Sequence, residues 1–438
     1  MSRAAPLPKP LTIWIINPFD DIPGEGLPPL RYWSLARVLA GRGHNVIWWS
    51  ATWSHRRKAT RSVPLGIRDE EGFSVRLVAT RPYKKDVSLA RFASHRNFGR
   101  TFERLANESI ASGQLVRPDL IVASLAPLDS LEAAARLAQR LDANLIVDSV
   151  EIWPDSFERL MPGPQWLKKI LSPLFLSGMY RRRHAVIQAA DALSSATQIF
   201  LDTIACDLSS DSRADKTAPY VCPFGAYLQE FNPPPRTVNH VPVLHEKTAA
   251  TSGTLPLQCV YSGMLAAGQD VDTLIAAAKI LSASAIAATL HIAGTGPFED
   301  SLRKAAAALG GSCRVRVHGL LHRKAYVQLL SECDVGLVLV RPESPAAIPY
   351  KACDYAAAGL AIVNSLPGEL ESLITRFVAG LKYTAGDAAS LARAISLLAS
   401  NRPLLLDYRQ GARQLAEAEF DREKLYSQFA QWIEATAS

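Results

Sequence analysis

The region around Lys351 carries residues suited to bind an anionic, hydroxylated ligand. Residues 335–363 contain an apolar run, a proline-broken loop with Glu343, then Lys351, Asp354 and a second apolar run. This order predicts strand, loop, helix and strand, with the three polar side chains at the carboxyl end of a buried strand, where open α/β sheets bind ligands. Lys351, near a helix N-terminus, would neutralise a diphosphate, and Asp354 would accept hydrogen bonds from ribose hydroxyls.

Glycines close two other predicted strands in the same half of the chain. In HIAGTGPFED, Gly294 and Gly296 follow a strand directly and Pro297 starts a helix. Gly263 ends the strand LQCVYSG. Because glycine has no side chain, these positions leave room for a ligand beside the strand ends. We therefore assign the three glycines to the same binding region as Lys351.

A second candidate region is the loop from Asn17 to Pro29, which contains Gly24, Glu25 and Gly26 and runs into a predicted helix. Glycines let backbone N–H groups approach a phosphate, and a helix N-terminus adds partial positive charge. Arg31, in the first helical turn, would reinforce anion binding. The sequence is neither G-x-G-x-x-G nor a P-loop, so a tight turn without a ligand is an equal alternative.

Cations follow the next predicted strand. In WSATWSHRRK, Ser54, His55 and Lys58 stand with two arginines at the carboxyl end of a strand. A cation cluster with a titratable imidazole would bind an acceptor phosphate or pyrophosphate, and His55 is also a candidate for proton transfer. A solvated charged loop is the alternative.

Three acids surround Trp153 and Pro154 after another buried strand. They are Asp148, Glu151 and Asp155 in VDSVEIWPDS. Acids so placed act as a general base or accept hydrogen bonds from sugar hydroxyls, and Trp153 would pack on the face of a sugar. A structural turn does not require three acids, so a functional role is favoured.

Two segments, residues 163–186 and 81–100, are both apolar and basic. This mixture suits the interface of an anionic membrane. The first segment lies in a long helical stretch predicted at residues 164–191 and broken at Pro173. A basic helix that buries its apolar side in the core is the alternative. The sequence has no run of about eighteen apolar residues, so membrane contact would be peripheral.

Apolar runs alternate with helical periodicity along both halves of the chain. Those of the first half are at residues 11–17, 45–50, 73–80, 120–126 and 145–150. Each half is therefore predicted as a doubly wound, mainly parallel sheet clothed by helices, which makes the fold class α/β. The proline-rich stretch 226–256 predicts a linker between domains at 1–225 and 257–420, and a last helix at 421–438 is expected to pack back on the first domain.

Composition bounds the class of protein. Of the 438 residues, 48% are hydrophobic and 20% charged, which allows two cores of about 200 residues each. The net charge of +7 lies mostly before Pro235, where 29 basic residues face 23 acidic ones. This excess suggests an anionic partner, which is a phosphate-bearing ligand, a lipid surface or nucleic acid, and a solvated basic surface without a partner is an equal alternative. Six cysteines without C-x-x-C spacing predict no zinc site and favour a reducing cytosol.

Six stretches, in order along the chain, resemble glycosyltransferase family 4, the retaining enzymes of the GT-B fold. They are PGEGLPPLRYWSLARVLAGRGHNV, VDSVEIWPDS, YSGMLAAGQDVDTLIAAAKIL, HIAGTGPFEDSLRKAA, VHGLLHRKAYVQLLSECDVGLVLV and IPYKACDYAAAGLAIV. The resemblance implies two Rossmann-like domains facing a central cleft. It also implies transfer of a sugar from a nucleotide diphosphate sugar to a lipid-linked or oligosaccharide acceptor in bacterial surface polysaccharide assembly. Neither a metal, nor another cofactor, nor nucleic acid is expected.

The family pattern also assigns individual residues. The loop from Gly24 to Gly26 would lie near the donor diphosphate, Lys351 would bind donor phosphate, and Asp354 would bind the ribose. Glu151 falls where the family has the aspartate of Asp-x-Trp-Pro. The resemblance places the protein in the cytoplasm, at the inner face of the plasma membrane.

The chain departs from the family at three positions. Ala346, eight residues before Asp354, stands where the family often has a first glutamate, and only Glu343 is nearby. Val150 and Gln269 stand where basic residues are common. Loss of these groups would weaken donor contacts by about 1 to 3 kcal/mol each. Two alternatives therefore stay open: a non-catalytic scaffold of GT-B fold, and a GT-B epimerase acting on nucleotide sugars.

Overall fold

The computed structural model describes residues 9–25, 28–62, 67–85, 88–160, 165–208, 217–231, 255–266, 268–341 and 348–437. The chain divides into two compact units. The first comprises Met1–Pro223 with Lys424–Ser438, and the second comprises Phe224–Glu423. The residues after Glu423 therefore belong to the first unit.

A parallel sheet forms the centre of the first unit. Its strands and those of a short hairpin are Thr12–Ile16 (β1), Asn45–Ala51 (β2), Trp53–Ser54 (β3), Ala59–Thr60 (β4), Ile67–Glu70 (β5), Phe73–Val78 (β6), Leu120–Ser124 (β7), Asn144–Ser149 (β8), Ala192–Ser195 (β9) and Tyr220–Val221 (β10). The sheet order is β10-β9-β8-β7-β1-β2-β6-β5, and β5 pairs antiparallel with β6. The strands β3 and β4 form a separate antiparallel hairpin directly after β2.

Helices cover both faces of this sheet. They are Arg31–Gly41 (α1), Leu89–Ala111 (α2), Leu128–Leu141 (α3), Asp155–Leu160 (α4), Gln165–Ala189 (α5) and Gln198–Ala205 (α6). The central strands are buried along their whole length, as strands between two helical layers are. Two apolar cores result, one on each face, with Trp14 and Trp49 in one and Trp48 in the other.

The second unit repeats this plan with a wholly parallel sheet. Its strands are Leu257–Ser262 (β11), Ala288–Ala293 (β12), Cys313–Gly319 (β13), Val335–Val338 (β14), Ala361–Asn364 (β15) and Gly380–Lys382 (β16), in the order β13-β12-β11-β14-β15-β16. Its helices are Val271–Ala283 (α7), Glu299–Ala307 (α8), Arg323–Ser331 (α9), Tyr350–Ala357 (α10), Glu369–Arg376 (α11), Ala388–Ser400 (α12) and Arg402–Glu419 (α13). A 3-10 helix, Leu228–Phe231, precedes the sheet and contributes Phe231 to one of its cores.

Local sequence explains where several helices begin. The Asp387 carboxylate accepts from Ser390 N at the start of α12, and the Asn401 side chain accepts from Leu404 N at the start of α13. Such caps satisfy backbone donors that the first helical turn leaves without partners. The last helix, Arg422–Thr436 (α14), places Tyr426 in an apolar core of the first unit.

The predicted fold class is confirmed: both units are α/β with parallel sheets. The break at Pro173 is wrong, because α5 runs through that position as one helix of 25 residues. A proline removes one backbone donor, and the neighbouring hydrogen bonds can carry the helix past it. The hairpin of β3 and β4 was not predicted, since strands of two residues are too short for a periodic signal.

Most of the predicted linker lies outside the described residues. Within the described residues, no helix has the length and apolar character of a membrane span.

Candidate functional site

Lys351 lies in the first turn of α10 and lacks a carboxylate partner among the described residues. Its Nζ donates to Gln269 Oε1 at 3.0 Å and lies 4.2 Å from the centroid of the Tyr261 ring. Burial lowers the pKa of Lys351 from 10.5 to about 7. The amino group is therefore held by one amide oxygen and one aromatic face, and an anion would supply the counter-charge that it lacks.

The loops after β11 and β12 contact each other closely beside this lysine. A side chain at Gly294 would place Cβ 1.8 Å from Gly263 O, and one at Gly296 would place Cβ 2.5 Å from Leu265 O. A Cβ at Gly263 would lie 3.0 Å from Lys351 Nζ. Gly294 and Gly296 thus permit loop-to-loop packing, while Gly263 leaves space at the tip of Lys351. The structure brings these four predicted residues together.

Asp354 lies one helical turn after Lys351 and is bound by an arginine that the sequence did not point to. Arg323 donates from Nη1 to Asp354 Oδ2 at 3.0 Å and from Nη2 to Asp354 Oδ1 at 3.2 Å. It also donates from Nε to Glu230 Oε2 at 2.8 Å. These residues are 31 and 93 positions from Arg323, so no local spacing could have revealed the cluster.

Three hydroxyl groups connect this cluster to the end of β11. Ser262 Oγ lies 3.0 Å from both Tyr326 Oη and Tyr355 Oη, and Ser262 N donates to Tyr355 Oη at 2.7 Å. Burial raises the pKa of Tyr355, so its hydroxyl keeps its proton. Glu343, predicted in this region, lies outside the described residues, as does Ala346. The same holds for Gly26 in the loop from Asn17 to Pro29.

Arg31 is a buried structural residue in the first unit. It is 1% exposed and donates to both oxygens of Asp148, at 2.7 and 2.8 Å, and to Cys222 O at 2.6 Å. Burial alone would raise the pKa of Asp148, yet the Arg31 guanidinium holds it below its usual range. The predicted role of Arg31 in binding the acceptor substrate does not fit this geometry, because its guanidinium is buried and already paired with Asp148.

The predicted cation cluster contacts the predicted glycine loop, but it does so through ion pairs between its arginines and acidic residues of the loop. Arg56 Nη1 lies 3.2 Å from Asp21 Oδ2, and Arg57 Nη1 lies 3.9 Å from Glu25 Oε1. Arg61, which follows the predicted cluster, also pairs with Glu25 Oε1, at 3.2 Å from its Nε. Gly24 is exposed with a φ of +84°, which favours glycine. Glu25 therefore anchors the β3–β4 hairpin to the loop. Arginines paired in this way offer little charge to a phosphate.

Two carboxyl groups in the same loop have unusual titration behaviour. Burial raises the pKa of Asp20 to about 7, and burial also raises the pKa of Asp21. Asp20 Oδ2 accepts from Tyr32 N at 3.1 Å, which ties the loop to the start of α1. The glycines of this loop were predicted from the sequence and these acids were not, although two adjacent aspartates after a buried strand were the available signal.

His55 and Lys58 lie together on the hairpin beside Tyr83. His55 Nδ1 is 2.7 Å from Tyr83 Oη and 3.3 Å from Lys58 Nζ. Lys58 Nζ also lies 5.2 Å from the centroid of the Tyr83 ring. Ser54 is 1% exposed, and its Oγ accepts from Arg57 N at 3.2 Å, so it shapes the turn and does not face solvent.

The loop after β8 exposes Glu151 and buries Trp153. Glu151 Oε2 accepts from Trp153 Nε1 at 3.0 Å. Trp153 is 3% exposed and packs against Phe157 at 4.6 Å and His95 at 5.5 Å between ring centroids. Arg183 donates to Trp153 O at 3.2 Å and secures the loop to α5. The Trp153 ring is therefore not open for stacking on a sugar, whereas Glu151 can reach a ligand.

Residues 251–415 match the family model described as "Glycosyl transferases group 1". The matched segment contains Lys351, Asp354 and the three glycines beside them. No curated protein sequence matches the chain significantly. The family match thus lies within the second unit.

The fold is similar to solved structures over nearly the whole chain. Sucrose-phosphate synthase from Thermosynechococcus elongatus has 16% identity and a TM-score of 0.68, with 96% of this chain and 98% of that chain covered. HepE from Anabaena, solved with UDP-glucose, has 14% identity and a TM-score of 0.60, covering 96% and 98%. WaaG, a glycosyltransferase involved in lipopolysaccharide biosynthesis, has 14% identity and a TM-score of 0.60, covering 96% and 99%.

At these identities the solved structures show a shared fold. The family match and the shared fold together support a glycosyltransferase of the GT-B fold.

Proposed function

We propose that this protein transfers a sugar from a nucleotide diphosphate sugar to an acceptor, with retention of the anomeric configuration. The observation that carries the proposal is the environment of Lys351, a desolvated amino group without a carboxylate partner in the described part of the chain. A cation buried in this way costs free energy that an anionic ligand offsets. The family match spans this arrangement, and HepE was solved with UDP-glucose, which supports a nucleotide sugar as donor.

In the proposed reaction the bond between the sugar and the diphosphate breaks, and a bond between the sugar and the acceptor oxygen forms. The proton of the acceptor hydroxyl passes to a base, and negative charge develops on the departing diphosphate oxygen. Lys351 in its ammonium form and the backbone N–H groups at the start of α10 oppose that charge. We propose that these groups act without a metal ion. Turnover should then persist in EDTA, whereas turnover that disappears in EDTA and returns with Mg²⁺ would exclude this part of the proposal.

On the first unit we propose Glu151 and His55 as the groups that contact the acceptor hydroxyl. Both follow strands that end at the carboxyl edge of the sheet, β8 and β2. Glu151 is exposed, and His55 is oriented by Tyr83 through a contact of 2.7 Å. Glu151→Gln and His55→Phe should each lower kcat by about 10²-fold or more, since general acid–base groups typically contribute that much. Glu108→Gln, at an exposed glutamate of α2, is the control and should leave kcat unchanged.

We further propose that the acceptor is lipid-linked or an oligosaccharide of a cell-surface polysaccharide, and that the protein binds an anionic membrane from the side. The helix α5 supports this, because Ile170, Leu174 and Phe175 are 64%, 72% and 69% exposed and Arg181 follows on the exposed side. Apolar side chains beside cations suit an anionic lipid interface. Leu174→Glu should abolish co-sedimentation with vesicles containing phosphatidylglycerol, while Leu397→Glu, at an exposed leucine of α12, should not.

The function is tested by incubating the protein with a panel of nucleotide sugars and an extract of lipid-linked acceptors. Release of nucleoside diphosphate that depends on acceptor is expected, and NMR of the product should show the anomeric configuration of the donor. Absence of both turnover and nucleotide binding with every donor would favour the scaffold alternative. A sugar product formed without any acceptor would favour the epimerase.

A further inference from the structure

We propose that Glu230 binds the ribose hydroxyls of the donor nucleotide, together with Asp354 and through the bridging Arg323. This inference rests on the proposed function, because it concerns the donor of that reaction. Glu230 lies in the 3-10 helix Leu228–Phe231, which no motif of the sequence singles out. It belongs to the same compact unit as Arg323 and Asp354.

Arg323 bridges the two carboxylates with four hydrogen bonds. It donates to Glu230 Oε2 from both Nε and Nη2, and to Asp354 from Nη1 at 3.0 Å and Nη2 at 3.2 Å. Burial alone would lower the pKa of Arg323, but Asp354 and Glu230 raise it above its usual range. Arg323 therefore stays cationic, and it holds both carboxylates in fixed positions.

The charge of this cluster selects the kind of group that it binds. One guanidinium faces two carboxylates, which leaves one net negative charge. A net negative site repels phosphate and attracts hydrogen-bond donors, such as the hydroxyls of a diol. Lys351, one helical turn before Asp354, has the opposite property and suits a diphosphate. In a nucleoside diphosphate the ribose hydroxyls and the phosphates are also separated by roughly the length of one helical turn.

Exposure decides which carboxylate a ligand reaches. The side chain of Asp354 is 12% exposed and both of its oxygens accept from Arg323, whereas the side chain of Glu230 is 32% exposed. Arg323 uses only Oε2 of Glu230, and no donor among the described residues contacts Oε1. Glu230 Oε1 is thus the oxygen of the cluster best placed to accept from a ribose hydroxyl.

The cluster adjoins the end of the strand that carries Gly263. Tyr326, whose ring lies 5.6 Å from the Arg323 guanidinium, contacts Ser262 Oγ through its hydroxyl at 3.0 Å. Ser262 is the last residue of β11, and Gly263 follows it beside Lys351. The ribose hydroxyls and the diphosphate of one nucleotide would therefore each contact groups of complementary charge around the end of β11.

The test compares nucleotides that differ by one hydroxyl. Isothermal titration calorimetry measures the Kd of UDP, 2′-deoxy-UDP and 3′-deoxy-UDP for the wild type, Glu230→Gln and the control Glu371→Gln. Glu371 is a matched acid, since its side chain is 31% exposed and accepts from Lys382 at 2.7 Å. If GDP or ADP binds the wild type more tightly, the same series is run with that base.

We expect Glu230→Gln to weaken UDP binding about tenfold or more, and to have no effect on binding of the deoxy analogue that lacks the contacted hydroxyl. Glu371→Gln should bind all three nucleotides like the wild type. An equal loss for all three nucleotides in Glu230→Gln would indicate a structural role and overturn the inference, as would no loss for UDP. A wild type that binds no nucleoside diphosphate would instead overturn the proposed function, and this inference with it.

Discussion

The pairing of Lys351 in the second unit differs from that of Arg31 and Arg56 in the first unit, and the difference separates structural from ligand-binding charge. In the first unit, Arg31 and Arg56 contact carboxylates, Asp148 at 2.7 Å and Asp21 at 3.2 Å. In the second unit, Lys351 contacts only an amide oxygen and an aromatic ring among the described residues. A cation that is paired with a carboxylate of the chain stabilises the fold, whereas a buried cation without such a carboxylate is available to bind an anionic ligand. Four substitutions or conditions test this contrast.

The largest effect is expected at Arg31. Arg31→Met leaves the Asp148 carboxylate buried without its partner, which should lower the free energy of unfolding by about 3 to 5 kcal/mol, measured by urea denaturation. The double variant Arg31→Met, Asp148→Asn should lose less, because no buried charge remains. A stable Arg31→Met variant with a raised acceptor KM would show instead that Arg31 binds a ligand.

The next effect is expected at Gln269. Gln269→Glu would place a carboxylate where Oε1 now lies 3.0 Å from Lys351 Nζ, and so give the lysine an internal counter-ion. The carboxylate would compete with the diphosphate, and the affinity for UDP-glucose should fall at least about tenfold in calorimetry. Gln410→Glu, at an exposed position of α13, is the control. Unchanged or tighter donor binding in Gln269→Glu would contradict the contrast.

The affinity for donor should also depend on pH. The pKa of Lys351 is about 7 without ligand, and a bound diphosphate raises it. Affinity for UDP-glucose should therefore be constant below pH 7 and fall as pH rises above 7, by up to about tenfold per unit, until the pKa of the complex is reached. UDP-glucose suits this measurement because its diphosphate is esterified at both ends. A flat profile between pH 6 and 9 would mean that Lys351 is charged before binding or takes no part in it.

The smallest effect is expected at Arg56. Its side chain is 46% exposed, and Asp21 can take up a proton because burial already raises its pKa. Arg56→Ala should therefore cost about 1 kcal/mol or less in urea denaturation and leave the acceptor KM unchanged. A tenfold rise in that KM would restore the predicted phosphate-binding role of the hairpin.

The sequence predicted those parts of the molecule that depend on local pattern. The buried strands β1 and β14 were visible as apolar runs, and the glycines at 263, 294 and 296 as strand ends. The position of Lys351 followed from the order of strand, loop and helix around it. In each case the determining residues are neighbours along the chain.

Pairing between distant segments could not be predicted in this way. Arg31 and Asp148 are 117 residues apart, and Arg323 and Glu230 are 93 apart, so each pair exists only because the sheets bring the segments together. Trp153 illustrates the same limit. A tryptophan beside acids is typical of a sugar site, but contacts with Phe157 and His95 bury its ring. The type of each side chain is known from the sequence, but tertiary packing determines whether that side chain faces a ligand.

Lys351 is proposed as the cation for the donor diphosphate, and proton uptake on binding tests this role most directly. UDP-glucose binding is measured at pH 8 by calorimetry in two buffers of different ionisation enthalpy, for the wild type and Lys351→Met. With a pKa near 7, most Lys351 side chains are neutral at pH 8, so the wild type should take up nearly one proton on binding. Lys351→Met should take up none and bind more weakly. Equal proton uptake by both proteins, or none by the wild type, would contradict the assignment.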